Sequence, residues 1–401
     1  MDDRCDWIWL QAALGVQARL EEPIAYFGTP RRLFEAGDFE WRLSGLFTAK
    51  QLDRLRSHRP EEAEAVLTQC AANGWSVLTP QNPLYPARLR TLPNFPAVLY
   101  VWGRMPALEG RVTLAVVGAR EATLQGRRIA QGLCEAFARA GAVVISGGAL
   151  GIDAAAHMGA LEGGGETAAF LGCGLGVRYL MENQHLRESI AAHGAVVSEF
   201  PPGTPPSRST FPVRNRLLSG ASCGTVVIEA GEKSGSLITA RCALEQGRDV
   251  FAVPGDIVSS AYTGANRLIR DGAKPVLTAM DVLEEYQYLY PDALDLSGAD
   301  CPLLEKNRAQ TPQSTHKRAQ LHNIRETQPI SVQNETKTPV VPEGLSDSAK
   351  QLMTLLSAGA LHADEAAGRL KMPVQEILRA FTELELHGLI GADSSRRYTL
   401  L

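Results

Sequence analysis

Six short apolar runs, at 112–117, 142–146, 167–171, 195–200, 225–229 and 250–254, take turns with stretches of helical periodicity at 125–140, 153–161, 182–192, 213–219, 236–246 and 266–271. A strand without polar alternation is buried on both faces, and strands that alternate with helices make right-handed crossovers. The pattern therefore predicts an α/β fold built on a doubly wound parallel sheet. In such a sheet a ligand meets the chain at the carboxyl ends of the strands, so the residues just after each run carry the functional weight.

The flanks read differently. A chain of 401 residues exceeds one ordinary core, which predicts two or three domains. Residues 1–73 carry helical spacing in Trp7, Leu10, Ala13 and Leu14 and again in Leu46, Leu52 and Leu55, predicting a small helical domain. Its Leu43-Ser44-Gly45-Leu46 turn is similar to hairpins that grip DNA backbones, but Glu21, Glu22, Glu35, Asp38 and Glu40 lie near it and favour a packing role. Apolar runs at 75–78 and 97–102 predict two strands leading into a sheet domain that spans 74–291. From 292 to 345 the periodicity is lost to Gln, Asn, Thr, Pro and Lys, the composition of a flexible linker. Residues 346–401 predict three helices, at 349–356, 363–370 and 374–386, then a strand pair at 389–392 and 398–400, the order of a winged helix-turn-helix. That tail holds acidic side chains as well as basic ones, so a protein contact fits it as well as DNA.

At the strand ends, Gly118-Ala119-Arg120 follows the first run and Gly126 opens the helix behind it. A glycine there lets a phosphate approach the backbone, and the guanidinium adds charge-assisted hydrogen bonds. Ser146-Gly147-Gly148 closes the second run and Gly172-Cys173-Gly174 the third, each with exposed N–H groups of the kind that form an anion nest. Arg214-Asn215-Arg216 follows Phe211-Pro212, with the proline just before the helix start suiting a first-turn position and both arginines facing outward. Lys233-Ser234-Gly235-Ser236 offers an ammonium, two hydroxyls and a free helix end, where capping and anion binding coexist. The expectation is a phosphate-binding rim. Asp153 and His157, four apart on a helix, fit a helix-entry cap and a packed histidine better than an acid–base dyad, because no third ligand or partner falls at a completing distance.

Several classes lose support. No Cys-x-x-Cys pair occurs among the seven cysteines, so neither a zinc site nor a redox dithiol is expected, and scattered buried thiols of a reducing cytosol fit instead. A basic, apolar leader and a membrane-length apolar stretch are not seen. Neither a Gly-x-Ser-x-Gly elbow nor a Walker lysine motif is present, and no catalytic residues, metal or cofactor are expected. The formal net charge of −4 supplies no global basic field, so nucleic-acid binding would rest on a local cluster of arginines.

The joint set, Gly118-Ala119-Arg120, Ser146-Gly147 with Gly151-Ile152-Asp153 and His157, Phe211-Pro212 with Arg214-Asn215-Arg216, Ser234-Gly235-Ser236, and Gly247-Arg248-Asp249-Val250-Phe251 with Pro254-Gly255, resembles the DprA/Smf family of bacterial DNA-processing proteins. The resemblance covers the region from about Tyr85 to Leu283. It implies an extended Rossmann-like domain between a helical front domain and a winged-helix tail. It further implies a cytoplasmic, non-enzymatic homodimer, paired through the Rossmann-like domain, that binds single-stranded DNA and helps load the recombinase RecA in natural transformation and recombination. By motif position the DNA would meet Arg120, Arg208, Arg214, Arg216 and Lys233. Two departures stand out: Ala119 replaces a hydroxyl residue, and Gly174-Leu175-Gly176 with Tyr179-Leu180 replaces Gly-Leu-Asp and Tyr-Pro, leaving Arg178 as a stand-in for that loop's lysine. An alternative on a similar scaffold, a nucleotide phosphoribohydrolase, would need Pro-Gly-Gly-x-Gly-Thr, of which Gly220-Ala221-Ser222-Cys223-Gly224-Thr225 keeps only the last two residues. A ligand-sensing transcription factor, the third reading, is weakened by the tail's acidity.

Overall fold

The computed structural model describes residues 2–299, 345–356, 361–386, 389–392 and 398–400. They fall into two compact units, divided within the stretch between 299 and 345. Residues 300–344, most of the expected linker, lie outside the described residues.

The first unit begins with helices α1 (Asp3–Leu14), α2 (Glu21–Phe27), α3 (Pro30–Leu43), α4 (Ala49–Ser57) and α5 (Ala63–Ala72). Trp7, Leu10, Ala13 and Leu14, the periodic positions of α1, are all buried. They join the same core cluster as the sheet residues Leu99 and Val101, so the helical front packs directly on the sheet.

The sheet follows: β1 (Trp75–Leu78), a short helix α6 (Ala87–Arg90), β2 (Leu99–Gly103), β3 (Thr113–Gly118), α7 (Leu124–Arg139), β4 (Val143–Ser146), α8 (Ile152–Glu162), β5 (Thr167–Phe170), α9 (Gln184–His193), β6 (Ala195–Ser198), α10 (Thr210–Gly220), β7 (Gly224–Ile228), α11 (Ser236–Glu245), β8 (Asp249–Ala252), α12 (Thr263–Arg270), β9 (Lys274–Pro275) and α13 (Met280–Gln287). Its strand order is β1-β2-β6-β5-β4-β3-β7-β8-β9. The pairs from β6 to β9 are parallel, whereas β1 with β2 and β2 with β6 are antiparallel. The chain winds outward from β3 through β4, β5 and β6 and then resumes on the other side of β3 with β7, which places a topological switch between β3 and β7. Both faces of the central strands are covered, as the missing alternation requires: along β3, Ala115 and Val117 feed one core and Leu114 and Val116 the other. One departure concerns α10, which starts at Thr210 rather than at Val213. Pro212 is its third residue, still among the first four positions whose N–H lacks an intrahelical partner, so the ring breaks no hydrogen bond there.

In the second unit α14 (Asp347–Leu356), α15 (Ala363–Leu370) and α16 (Val374–Leu386) precede β10 (Ile390–Ala392), antiparallel to β11 (Tyr398–Leu400). Phe381 stacks on Tyr398 at 4.0 Å and ties helix to wing.

Candidate functional site

At the switch point a cavity of about 780 Å³ opens over the ends of β3 and β7. Of the residues expected at the rim, Gly118, Arg120, Arg208, Arg214, Asn215, Lys233, Ser234, Gly235 and Ser236 line it, together with Asp153 and Glu121. Gly126, Ser146, Gly147, Arg178 and Arg216 do not.

The loop that presents Arg120 is anchored from below. Glu229, just past β7, adopts a left-handed backbone at φ 52°, a strained state for a residue with a side chain. From there its carbonyl accepts the Ala119 N–H at 2.8 Å, and its carboxylate accepts the Thr123 N–H and hydroxyl at 2.8 and 2.7 Å. Gly126 is a glycine for this reason: a Cβ there would sit 1.8 Å from the Glu229 Oε2. Gly126 is thus set by packing and lies outside the cavity lining, whereas Gly118 lines the cavity, although the direction its Cβ would take is filled by the Ile228 carbonyl and the Ile152 side chain. With its base fixed, the exposed Arg120 guanidinium lies over the Phe211 ring, 4.5 Å from the centroid. Arg208 and Lys233 are also exposed, and neither they nor Arg120 form an ion pair with another described residue. Across the cavity, Gly235 has open space where a side chain would be, and Ser234 and Ser236 share a hydroxyl hydrogen bond of 2.8 Å at the start of α11. The Ser236, Leu237 and Ile238 N–H groups are taken up by Ser234 Oγ and by the Ser234 and Gly235 carbonyls, so that helix end contributes the positive pole of its dipole rather than free donors.

Arg214 and Arg216 do not both face outward. Residues two apart on a helix point roughly 200° away from each other, so they share no ligand. Arg214 is buried beneath the cavity and donates to the Gly147 and Phe170 carbonyls, the first at 2.7 Å. Gly147 admits it, because a Cβ would lie 2.5 Å from both Arg214 Nη1 and Asp153 Oδ2. Arg216 turns into the protein, where its Nη2 donates to Glu199 at 2.7 Å, to the Asn94 carbonyl at 2.9 Å and to that of Val16 at 3.3 Å. Ser146 is buried as well, donating to the Val116 carbonyl at 2.6 Å. Arg178 borders a separate cleft. Sequence reading missed the Phe211 platform, for which an aromatic two residues past a helix cap was the available signal, and the anchoring role of Glu229, whose signal was a carboxylate ending an apolar run and open to reading as a general base without a paired nucleophile.

Asp153 accepts the Ala149 N–H at 3.3 Å and so braces the loop before α8 instead of capping the helix as expected, because the N-cap is Gly151, with no side-chain cap hydrogen bond. Burial pushes its carboxyl above the ordinary range, against the pull of Arg214. His157 is fully buried and donates from Nδ1 to Thr167 Oγ1 at 2.7 Å, since that hydroxyl itself donates to the Val144 carbonyl. It is a packed histidine, held neutral: burial first, then Arg214, lowers its pKa to about 3. Below its ordinary value of 6.5 the unfolded chain takes a proton that the folded protein refuses, so this stabilisation is complete above that pH and is lost as pH falls toward about 3. Urea unfolding from neutral to acid pH should show that loss, and a His157→Gln variant should show a shallower acid limb.

Among the described residues no group of three or more His, Cys, Asp or Glu could hold a metal ion, and no helix is long and apolar enough to cross a membrane.

A cationic groove at the switch point of a doubly wound sheet is a place for a phosphate chain, and the comparisons give the class. Residues 76–287 match the family model described as DNA recombination-mediator protein A, and residues 336–393 match the DprA winged helix domain. The chain belongs to the DprA/Smf family of DNA-processing proteins. It is 39% identical over 242 residues to Protein Smf of Escherichia coli, covering 60% of this chain and 64% of that protein. With Protein Smf of Synechocystis it shares 31% over 326 residues, 80% of this chain and 79% of the other. The crystal structure of DNA processing protein A from Streptococcus pneumoniae superposes with a TM-score of 0.61 at 31% identity, over 70% of this chain and 97% of that one.

Proposed function

We propose that the rim cavity grips the sugar–phosphate backbone of single-stranded DNA without regard to sequence and without catalysis, in a cytoplasmic protein that acts as a homodimer through its Rossmann-like domain and hands the strand to RecA. One observation carries the DNA reading: Arg120, Arg208 and Lys233, exposed and unpaired, converge on one cavity above the buried Arg214. Such a groove offers donors for phosphate oxygens and no set of fixed groups for base edges, which is the chemistry of sequence-tolerant binding. Family membership supports the same reading, as relatives from Bacillus subtilis and Streptococcus pneumoniae carry the name DNA processing protein DprA.

Each cation that displaces a counterion from single-stranded DNA contributes about −0.7 to the slope of log affinity against log salt, so four of them set a slope of about −3, and a dimer bridging one strand about doubles it. Fluorescence anisotropy with labelled oligomers at several salt levels measures this directly. A flat response would remove the groove as the binding site, and tighter binding of duplex than of single strand would favour a transcription factor.

A further inference from the structure

A second cavity, of about 380 Å³, lies beside β1 and is lined by Trp75, Trp102, Gly176, Arg178, Met181 and Arg187 among others, with no carboxylate in its wall. Strand register sets its floor: Trp75 is opposite Trp102, and Trp102 is opposite Val196, so one cross-strand row puts both tryptophans on the same face of the sheet. The protein has five tryptophans. Trp7, Trp9 and Trp41 are buried in the core, whereas Trp75 and Trp102 stay half-exposed at this cleft.

Two arginines complete it. Arg178 is exposed and forms no ion pair with another described residue. Arg187 is only 5% exposed, yet while its Nη2 donates to the Tyr179 and Leu180 carbonyls its Nε has no hydrogen-bond partner. A buried guanidinium N–H left unpaired is costly unless a ligand completes it. Leu180, which accepts from Arg187, is itself held in a left-handed conformation at φ 47°. This loop touches the wall of the rim groove through one ring, because Tyr179 lies 5.7 Å from Phe211, the ring beneath Arg120.

We propose that this cleft is a nucleotide subsite: an unpaired base of the strand held at the rim stacks on the Trp75–Trp102 floor while its phosphate meets Arg178 and the free Nε of Arg187. The inference rests on the single-stranded DNA reading of the rim groove. A π-face accepts any base, and the acid-free wall with two cations suits a phosphodiester.

The test uses the full chain, with intrinsic tryptophan fluorescence and anisotropy read in the same titration. An oligo(dT) of about 12 nucleotides should reach both sites and quench the fluorescence, whereas one of about 4 should bind at the rim with little quenching. Trp75→Leu keeps the apolar bulk and removes the stacking face, and should weaken the longer oligomer about tenfold with the shorter unchanged. Arg178→Ala, at an exposed position that leaves folding intact, should likewise weaken only the longer one. Equal binding of both oligomers by parent and variants, or binding of the longer one without quenching, would overturn the subsite. Quenching by thymidine monophosphate but not by bound oligomer would overturn it too, marking a free-nucleotide pocket. Failure of the parent to bind either oligomer would be the failure of the rim reading instead.

Discussion

Arg216→Ala is expected to lower folding stability by about 3–5 kcal/mol while leaving the affinity of the folded protein for single-stranded DNA unchanged. Both carboxylate and guanidinium are buried, with Glu199 1% and Arg216 6% exposed. Removing the cation leaves the buried Glu199 carboxyl without its partner, so that it must take up a proton or stand uncompensated, and also frees the Asn94 and Val16 carbonyls. Replacing both partners, as in Arg216→Met with Glu199→Gln, should recover much of the loss, because no buried charge then remains. The pair carries its own pH signature. Burial raises the Glu199 pKa from 4.5 to about 7, with Arg216 holding it down. Between those values the folded protein keeps a proton that the unfolded chain has released, so this group's stabilisation is whole below 4.5 and is lost as pH rises through about 7. His157 acts in the opposite sense on the acid side, so the Glu199 contribution is read as the difference between the parent and Glu199→Gln in urea unfolding at about pH 5 and about pH 8. Loss of DNA affinity in folded Arg216→Ala would return that residue to the groove.

Arg216 also shows where a sequence stops being readable. The run Arg214-Asn215-Arg216 looks like one cationic cluster, yet helical periodicity alone separates its two ends by more than half a turn. Which end faces the ligand depends on where α10 begins, and element starts are set by local turns such as the reciprocal hydrogen bonds between Ser207 and Thr210, not by the apolar pattern. The strands were legible because complete burial leaves a run of β-branched and small apolar residues that nothing else explains. The winged-helix unit was legible for the same reason, its α15 and α16 matching the spans expected from periodicity. The glycines misled in part. Gly118, Gly126 and Gly147 are required by close neighbours, Ile228, Glu229 and Arg214, which come from elsewhere in the chain and leave no mark next to the glycine itself. Gly235 alone of these lacks such a neighbour, and it faces the cavity. The antiparallel edge, β1 and β2 added to β6, follows from pairing across more than ninety residues of sequence, which no local pattern encodes.

Arg120→Ala is expected to weaken single-stranded DNA binding by about 1.5–3 kcal/mol, roughly 10- to 150-fold, with folding stability changed by no more than a few tenths of that. The residue suits this test better than Arg214, whose hydrogen bonds to the Gly147 and Phe170 carbonyls mean that truncation disturbs the ends of β4 and β5 as well as the groove. Arg120 is exposed, its loop is held by backbone and by Glu229, and its guanidinium lies over Phe211 without an ion pair to another described residue, so what alanine removes is that stack and the proposed contact with DNA. The salt slope should fall by about 0.7 with the cation, and Lys233→Ala added to it should lower the slope by a similar further step. Arg120→Lys separates the two parts of the contribution. An ammonium keeps the counterion release but not the planar stack on Phe211 or the paired donors, so the salt slope should return to the parent value while affinity recovers only in part. The loss should be the same for oligo(dT) and for mixed sequences, because a contact to phosphate carries no base information. Unaltered affinity and slope in both Arg120→Ala and Lys233→Ala would mean that the strand does not pass through this cavity, however well the cavity is shaped for it.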